Sequence, residues 1–244
     1  GSATRLGDFS NTWIGVSYTD DVQEIASTAF VIDKIPFRIY NPWPINISTF
    51  YNYNSWRAYI DTKIIPRTES VWQITQNYID PKFDYLYTVN GKPYQNFQMT
   101  TAVASVQWNP FSEYLQTPKG RYEFETGYPK FTFQFTRTLP HFVKNDFDFG
   151  KFDFRLEYEK QFLNNQLSSL LLETGYAFGD VPLTHLYNTS PNNISKTKIM
   201  QRFTIAAKNS FETMFYNEFF SSKYITVQLK HSFQKLALSK SITP

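Results

Sequence analysis

Two closely spaced acid pairs are the first residues that could do chemistry: Asp146 with Asp148 in "KNDFDF", and Glu157 with Glu159 in "RLEYEK". Side chains two apart on a strand point the same way, ~7 Å from each other, a separation that a glycosidase acid–base pair can use. The same spacing arises on any alternating strand, so the simpler reading is a charged row facing water or a lumen. Glu212 and Glu218, in the aromatic stretch "FETMFYNEFF", read as inward acids paired to Arg155 or Arg202. His141, His185 and His231 are widely spaced and fit no metal-ligand pattern. The chain has no cysteine, which removes thiolate nucleophiles, disulfides and Cys-based zinc sites together. It also has no nucleophile elbow, P-loop or dinucleotide fingerprint. Its chemistry-bearing residues therefore predict no enzyme, no cofactor and no metal. A β-rich hydrolase built on Glu157 and Glu159 is the minor alternative.

The elements that carry these residues follow from composition and period. Charged residues make up 18% of the 244 positions while aromatics reach 19%, against roughly 25% charged residues in ordinary soluble domains. Mean hydropathy is nevertheless negative, because Asn, Gln, Ser and Thr separate the aromatics one by one. The formal charge of +3 is scattered and makes no basic stripe of the kind nucleic acid requires. No run approaches the ~18 apolar residues of a transmembrane helix. Residues 1–3, "GSA", read as a cloning remnant, and residues 1–244 as a single domain.

Alternation at a two-residue period runs almost throughout. In "KFTFQFTRT", Phe131, Phe133 and Phe135 take one face, and Thr132, Gln134 and Thr136 the other. In "KFDFRLEYEK", Phe152, Phe154, Leu156 and Tyr158 oppose Asp153, Arg155, Glu157 and Glu159. Asn90-Gly91 between two aromatic runs signals a hairpin. Ala102 and Ala104 predict a strand facing a crowded interior, and the glycines of "GYAFGD" a bend or bulge. Several segments reach the ~9–11 residues a tilted strand needs to cross a bilayer, whereas soluble strands more often run ~5–6. Trp43, Trp56, Trp72, Trp108, Tyr128 and Tyr176 are placed near segment ends, where interfacial girdles belong. The expected fold is all-β: an antiparallel transmembrane β-barrel of roughly ten to fourteen strands. The aromatic rows face lipid and the polar rows face the lumen. A secreted soluble β-sandwich or barrel, binding glycans through exposed aromatics, is the alternative; it would cover its aromatic core row with a second sheet.

Two stretches carry a resemblance. "YLQTPKGRYEFETGYPKFTFQFTRTL" (114–139) and "NSFETMFYNEFFSSKYITVQLKHSF" (209–233), with "TGYAFGDVPLTHLYN" (174–188) between them, resemble a family of large outer-membrane proteins from Bacteroidota. Its members carry an N-terminal carboxypeptidase-regulatory-like domain ahead of a C-terminal barrel of unknown function. The arrangement is similar to the surface-antigen barrels of the Omp85 superfamily, which insert or translocate proteins at outer membranes. The resemblance implies a bacterial outer-membrane location, with lipid and other envelope proteins as partners. It implies a role in export, assembly or passage of other molecules. It also implies further strands beyond "KSITP", so that the chain reads as an incomplete piece of a larger barrel.

Overall fold

The computed structural model describes residues 1–7, 11–24, 30–33, 50–63, 65–84, 86–89, 91–118, 120–140, 142–162, 166–188, 191–193, 211–215 and 219–233. His141, Arg202 and Glu218, with the side chain of Glu212 and the position of Trp43, lie outside what it describes.

Nine strands form one antiparallel sheet in chain order. They are β1 (Ser2–Arg5), β2 (Thr12–Glu24), β3 (Phe50–Thr62), β4 (Thr68–Pro81), β5 (Phe97–Trp108), β6 (Lys130–Thr138), β7 (Phe149–Gln161), β8 (Leu167–Gly179) and β9 (Lys223–Ser232). Each strand pairs with its neighbours in sequence, an up-and-down meander. The all-β, antiparallel expectation therefore holds. Closure is a different matter: among the described residues β1 and β9 have one neighbour each, and no ladder joins them. The described residues supply nine wall strands, against the expected ten to fourteen for the barrel. Two hairpins fold apart from this sheet: Tyr87–Val89 with Lys92–Tyr94, the hairpin expected around Gly91, and Glu113–Thr117 with Gly120–Glu125. Their strands are three to six residues long, too short to span the sheet.

The wall strands themselves are long. β2, β3, β7 and β8 have 13 residues each and β4 has 14, more than the ~9–11 that cross a bilayer. Among the described residues no helix is long and apolar enough to cross a membrane. Connections at one rim are brief (63–67 and 162–166), apart from the hairpin between β5 and β6. Those at the other rim are long (25–49 and 180–222).

Register puts the apolar rows of neighbouring strands on one face. Tyr18 stands across from Trp56, Ala58 from Ile74, Trp72 from Ala104, Phe133 from Val106 and Phe154, and Leu172 from Leu156 and Val227. Rings meet across strands at 4.9 Å (Phe133 with Phe154) and 4.6 Å (Phe135 with Phe152), spacings that favour aromatic pairs. Ala102 and Ala104 lie on this outer face, floors of a shallow groove between Trp72 and Phe135. The crowded interior they were expected to face is lined instead by the alternate residues Met99, Thr101, Val103 and Ser105, all buried. Trp56 is at the middle of β3, not at a strand end.

The inner face has two zones. At the long-loop rim Tyr51, Ile79, Phe97, Met99, Phe147 and Phe149 form an apolar cluster, covered by Phe83, Val181, Leu183 and Phe220. Further along, the inner residues are polar and bonded to one another. Ser55 donates to Asn77 (2.7 Å), Asn77 to Thr75 (3.3 Å), and Thr75 shares a 2.6 Å bond with Thr101. Gly175 does not form the expected bulge, for the register of β8 runs without a shift from Leu167 to Gly179. Its missing side chain makes room for the rings of Tyr187 and Tyr224, which a Cβ would meet at 2.5 and 2.4 Å.

Candidate functional site

The candidate site is the polar inner face of β6, β7 and β8, where two segments from the long-loop rim fold inward onto one strand. β7 supplies Lys151, Asp153, Arg155 and Glu157 in sequence, charges of alternating sign on one face. β6 adds Thr132, Gln134 and Thr136 beside them, and β8 places Glu173 across from Arg155.

The first inward segment is 30–33. Both terminal nitrogens of Arg155 donate to the Asp33 carboxylate, one at 2.8 Å, a fork geometry suited to guanidinium and carboxylate. The Phe30 ring lies under the guanidinium, 4.5 Å from Cζ to the ring centre. The backbone N–H of Val31 donates to Gln134 Oε1 at 2.8 Å. Glu157 stands 3.8 Å from Arg155 Nε, an ion pair too long for a hydrogen bond. Phe30 and Ile32 pack against Val71.

The second segment contains the turn Leu183–His185 and the strand residues Tyr187 and Asn188. Tyr187 donates its O–H to Asp153 Oδ1 at 2.6 Å, and Lys151 Nζ lies 4.2 Å from the centre of the same ring. A carboxylate, an ammonium and a phenol thereby hold one another on the inside of the sheet. His185 packs its ring 5.5 Å from that of Phe149 and bonds Thr184 Oγ1 through Nδ1 at 2.9 Å. Burial, and then the positive charge of Lys151, push its pKa down to about 3.

Exposure runs opposite to that of a soluble sheet. Phe133 and Phe152 are 52% and 53% exposed, while Asp153 and Arg155 on the other face are 3% and 9% exposed. Of the aromatic-row residues, Phe135 and Tyr158 are exposed as well, and Phe131, Phe154 and Leu156 are half-buried among neighbouring rings. Thr132 and Gln134 are buried, Thr136 and Glu157 half-buried, and Glu159 is exposed near the end of β7. No second sheet covers the aromatic row among the described residues.

The acid pairs have other engagements. Asp146 accepts from the backbone N–H of Gln98 at 2.7 Å, and Asp148 pairs with Arg137 at 2.6 Å. The pairing of Glu212 and Glu218 with Arg155 or Arg202 falls on side chains outside the described residues; the described carboxylate on Arg155 is that of Asp33. His231 ends β9 on the outer face, bonded to Ser168 Oγ at 2.7 Å. No group of His, Asp or Glu among the described residues is arranged to hold a metal. Sequence period located the two rows but missed Lys151 and Glu173, which extend the same alternation, and also Asp33, Phe30 and Tyr187. The last three lie in connections, where no period marks them.

Residues 73–242 match the C-terminal domain of a family of unknown function (DUF5686). The chain belongs to this family. The match takes in β5 to β9, most of β4 and the Val181–Asn188 segment, so the polar row of β7 and one of its two inward partners are family territory. The Phe30–Asp33 segment lies ahead of it. No curated protein and no solved structure matches the chain.

Proposed function

We propose that the chain forms the wall of a membrane β-barrel whose aromatic face contacts lipid and whose polar face lines a lumen narrowed by the 30–33 and 181–188 segments. One observation carries the reading: rings on the outside are half exposed while an aspartate and an arginine on the inside are buried. In water that arrangement leaves a continuous apolar patch unburied across the sheet, far beyond what soluble monomers tolerate. In lipid it removes the same surface from water, and the inner charges keep partners and lumen water. An open edge in lipid would leave unpaired backbone groups, each costing several kcal/mol. The wall therefore closes in the membrane with strands outside the described residues or in a longer chain.

The location is the bacterial outer membrane, in keeping with the resemblance to Bacteroidota proteins that carry a regulatory-like domain ahead of such a barrel. The barrel is not an enzyme; it assists export, assembly or passage of other molecules, with lipid and other envelope proteins as its partners. To test this, the chain is exported, membranes are fractionated, and boiled and unboiled samples are compared by gel mobility. Detergent-dependent recovery with a heat-dependent shift supports the barrel. A detergent-free monomer without a shift overturns it in favour of a soluble, glycan-binding protein.

A further inference from the structure

The hairpin between β5 and β6 is outside the wall, and the lumen has no use for it. Its inward side is fastened to the short-turn rim. Arg121 donates to the carbonyls of Ile65 (3.0 Å) and Thr68 (2.7 Å) and stacks on Tyr114, whose hydroxyl accepts from Asn109 at 2.9 Å. Gln116 and Asn11 exchange amide bonds at 3.0 and 3.2 Å, and Lys130 pairs with Glu123 at 2.8 Å. The base is clasped by Ser112, whose hydroxyl accepts from Gly127 N at 2.9 Å. A Cβ at Gly127 would come 2.0 Å from the Phe111 carbonyl oxygen, so the clasp closes only around a glycine.

So rigid a mounting presents an uncovered apolar face. Leu115 and Tyr122 stand directly across from each other, with Phe124 two residues on, and all three are exposed, Phe124 at 77%. Nothing in the fold of the hairpin requires that exposure, since its inward side already carries its attachments. At the base of the face a register shift leaves Phe124 without a cross-strand partner and sets Glu113 across from Glu125; both acids are exposed, and no described ion pair engages either. Like charges in that position are unfavourable, whereas Lys130 with Glu123 nearby shows the neutralised form.

We infer that this face docks a basic, amphipathic, extended segment of a partner protein. Alternating apolar residues on the segment cover Leu115, Tyr122 and Phe124, and its Lys or Arg residues answer Glu113 and Glu125. The hairpin has no third strand among the described residues, so an extended partner can add to its edge. A phospholipid surface is the wrong occupant, because its phosphates meet two uncompensated carboxylates. The fixed mounting lowers the ordering cost of recognition.

The test uses the chain reconstituted in lipid nanodiscs and an eight-residue peptide alternating Lys and Leu, with a Glu-for-Lys peptide as control. Carbodiimide coupling joins carboxylates to bound lysine amines, and mass spectrometry maps the sites. The expected result is coupling at Glu113 or Glu125 about tenfold above that at the exposed acids Asp20 and Glu159, a difference of one decade in binding. Leu115→Ser with Phe124→Ser abolishes that preference and leaves Asp20 unchanged. Coupling spread evenly over all exposed carboxylates overturns the inference. A single-site probe serves if the double variant fails to fold: Leu115→Cys labelled with an environment-sensitive dye, unique because the chain has no cysteine. Water-like emission that shifts to the blue only with the Lys-Leu peptide supports docking. Blue emission in lipid before any peptide is added assigns the face to the membrane and refutes it.

Discussion

Phe133→Arg separates the two environments that the outer face could meet. Phe133 is near the middle of β6, half exposed, with its ring 4.9 Å from that of Phe154. If the face is wet, the substitution loses one aromatic pair, worth ~0.5–1.5 kcal/mol, and the guanidinium is hydrated at no further cost. If the face is in lipid, an arginine near the bilayer midplane adds ~2–4 kcal/mol, for a total of ~2.5–5.5 kcal/mol. Phe133→Leu, which stays apolar, loses only the ring pair in either case and serves as the control. The assay is reversible urea unfolding from lipid vesicles, followed by tryptophan emission, for the wild type and both variants. A loss of ~1 kcal/mol or less for Phe133→Arg, no larger than that for Phe133→Leu, would refute the lipid assignment.

Three further outcomes are expected. Asp33→Asn leaves Arg155, nearly fully buried, with a neutral partner; because Asp33 is itself partly exposed, the cost is ~1–3 kcal/mol, read by urea unfolding, and single-channel conductance rises as the 30–33 segment loosens. Gly175→Ala drives a methyl into the rings of Tyr187 and Tyr224 and costs ~1–3 kcal/mol. Proteolysis of the 181–188 segment should be faster in that variant, and unchanged sensitivity would contradict the packing. His185 is held neutral below its ordinary pKa of 6.5, so the unfolded chain takes up a proton that the folded chain refuses. Stability therefore falls as pH drops from ~6.5 towards ~3, by at most ~1.4 kcal/mol per pH unit. His185→Phe should flatten that limb in pH-dependent unfolding.

Much of the wall was legible because one physical rule writes it. A strand with an apolar and a polar face must alternate, so the rows 131–135 and 152–158 marked the chain as all-β and separated an aromatic from a polar face. Strand pairing was not read from the sequence; in the structure the register matches apolar rows across neighbours. The inward segments were not legible, since Asp33 reaches Arg155 across 122 residues and Tyr187 reaches Asp153 across 34. Both lie in connections where side-chain direction has no period. The hairpin 113–125 alternates too, but its alternation serves an attachment on one side and an exposed face on the other. Gly175 read as a break because glycine weakens a strand, while its use here is to seat two rings.

The lipid-facing claim is tested most directly without any substitution. Trp13, Trp56, Trp72 and Trp108 are the described tryptophans, and all four are exposed. The chain is folded into vesicles of ordinary phospholipid and of phospholipid brominated along its acyl chains, and tryptophan emission is compared. The account predicts strong quenching by the brominated chains, because Trp56 and Trp72 stand within the outer band. Equal emission from the two preparations, at the wavelength of tryptophan in water, would contradict it.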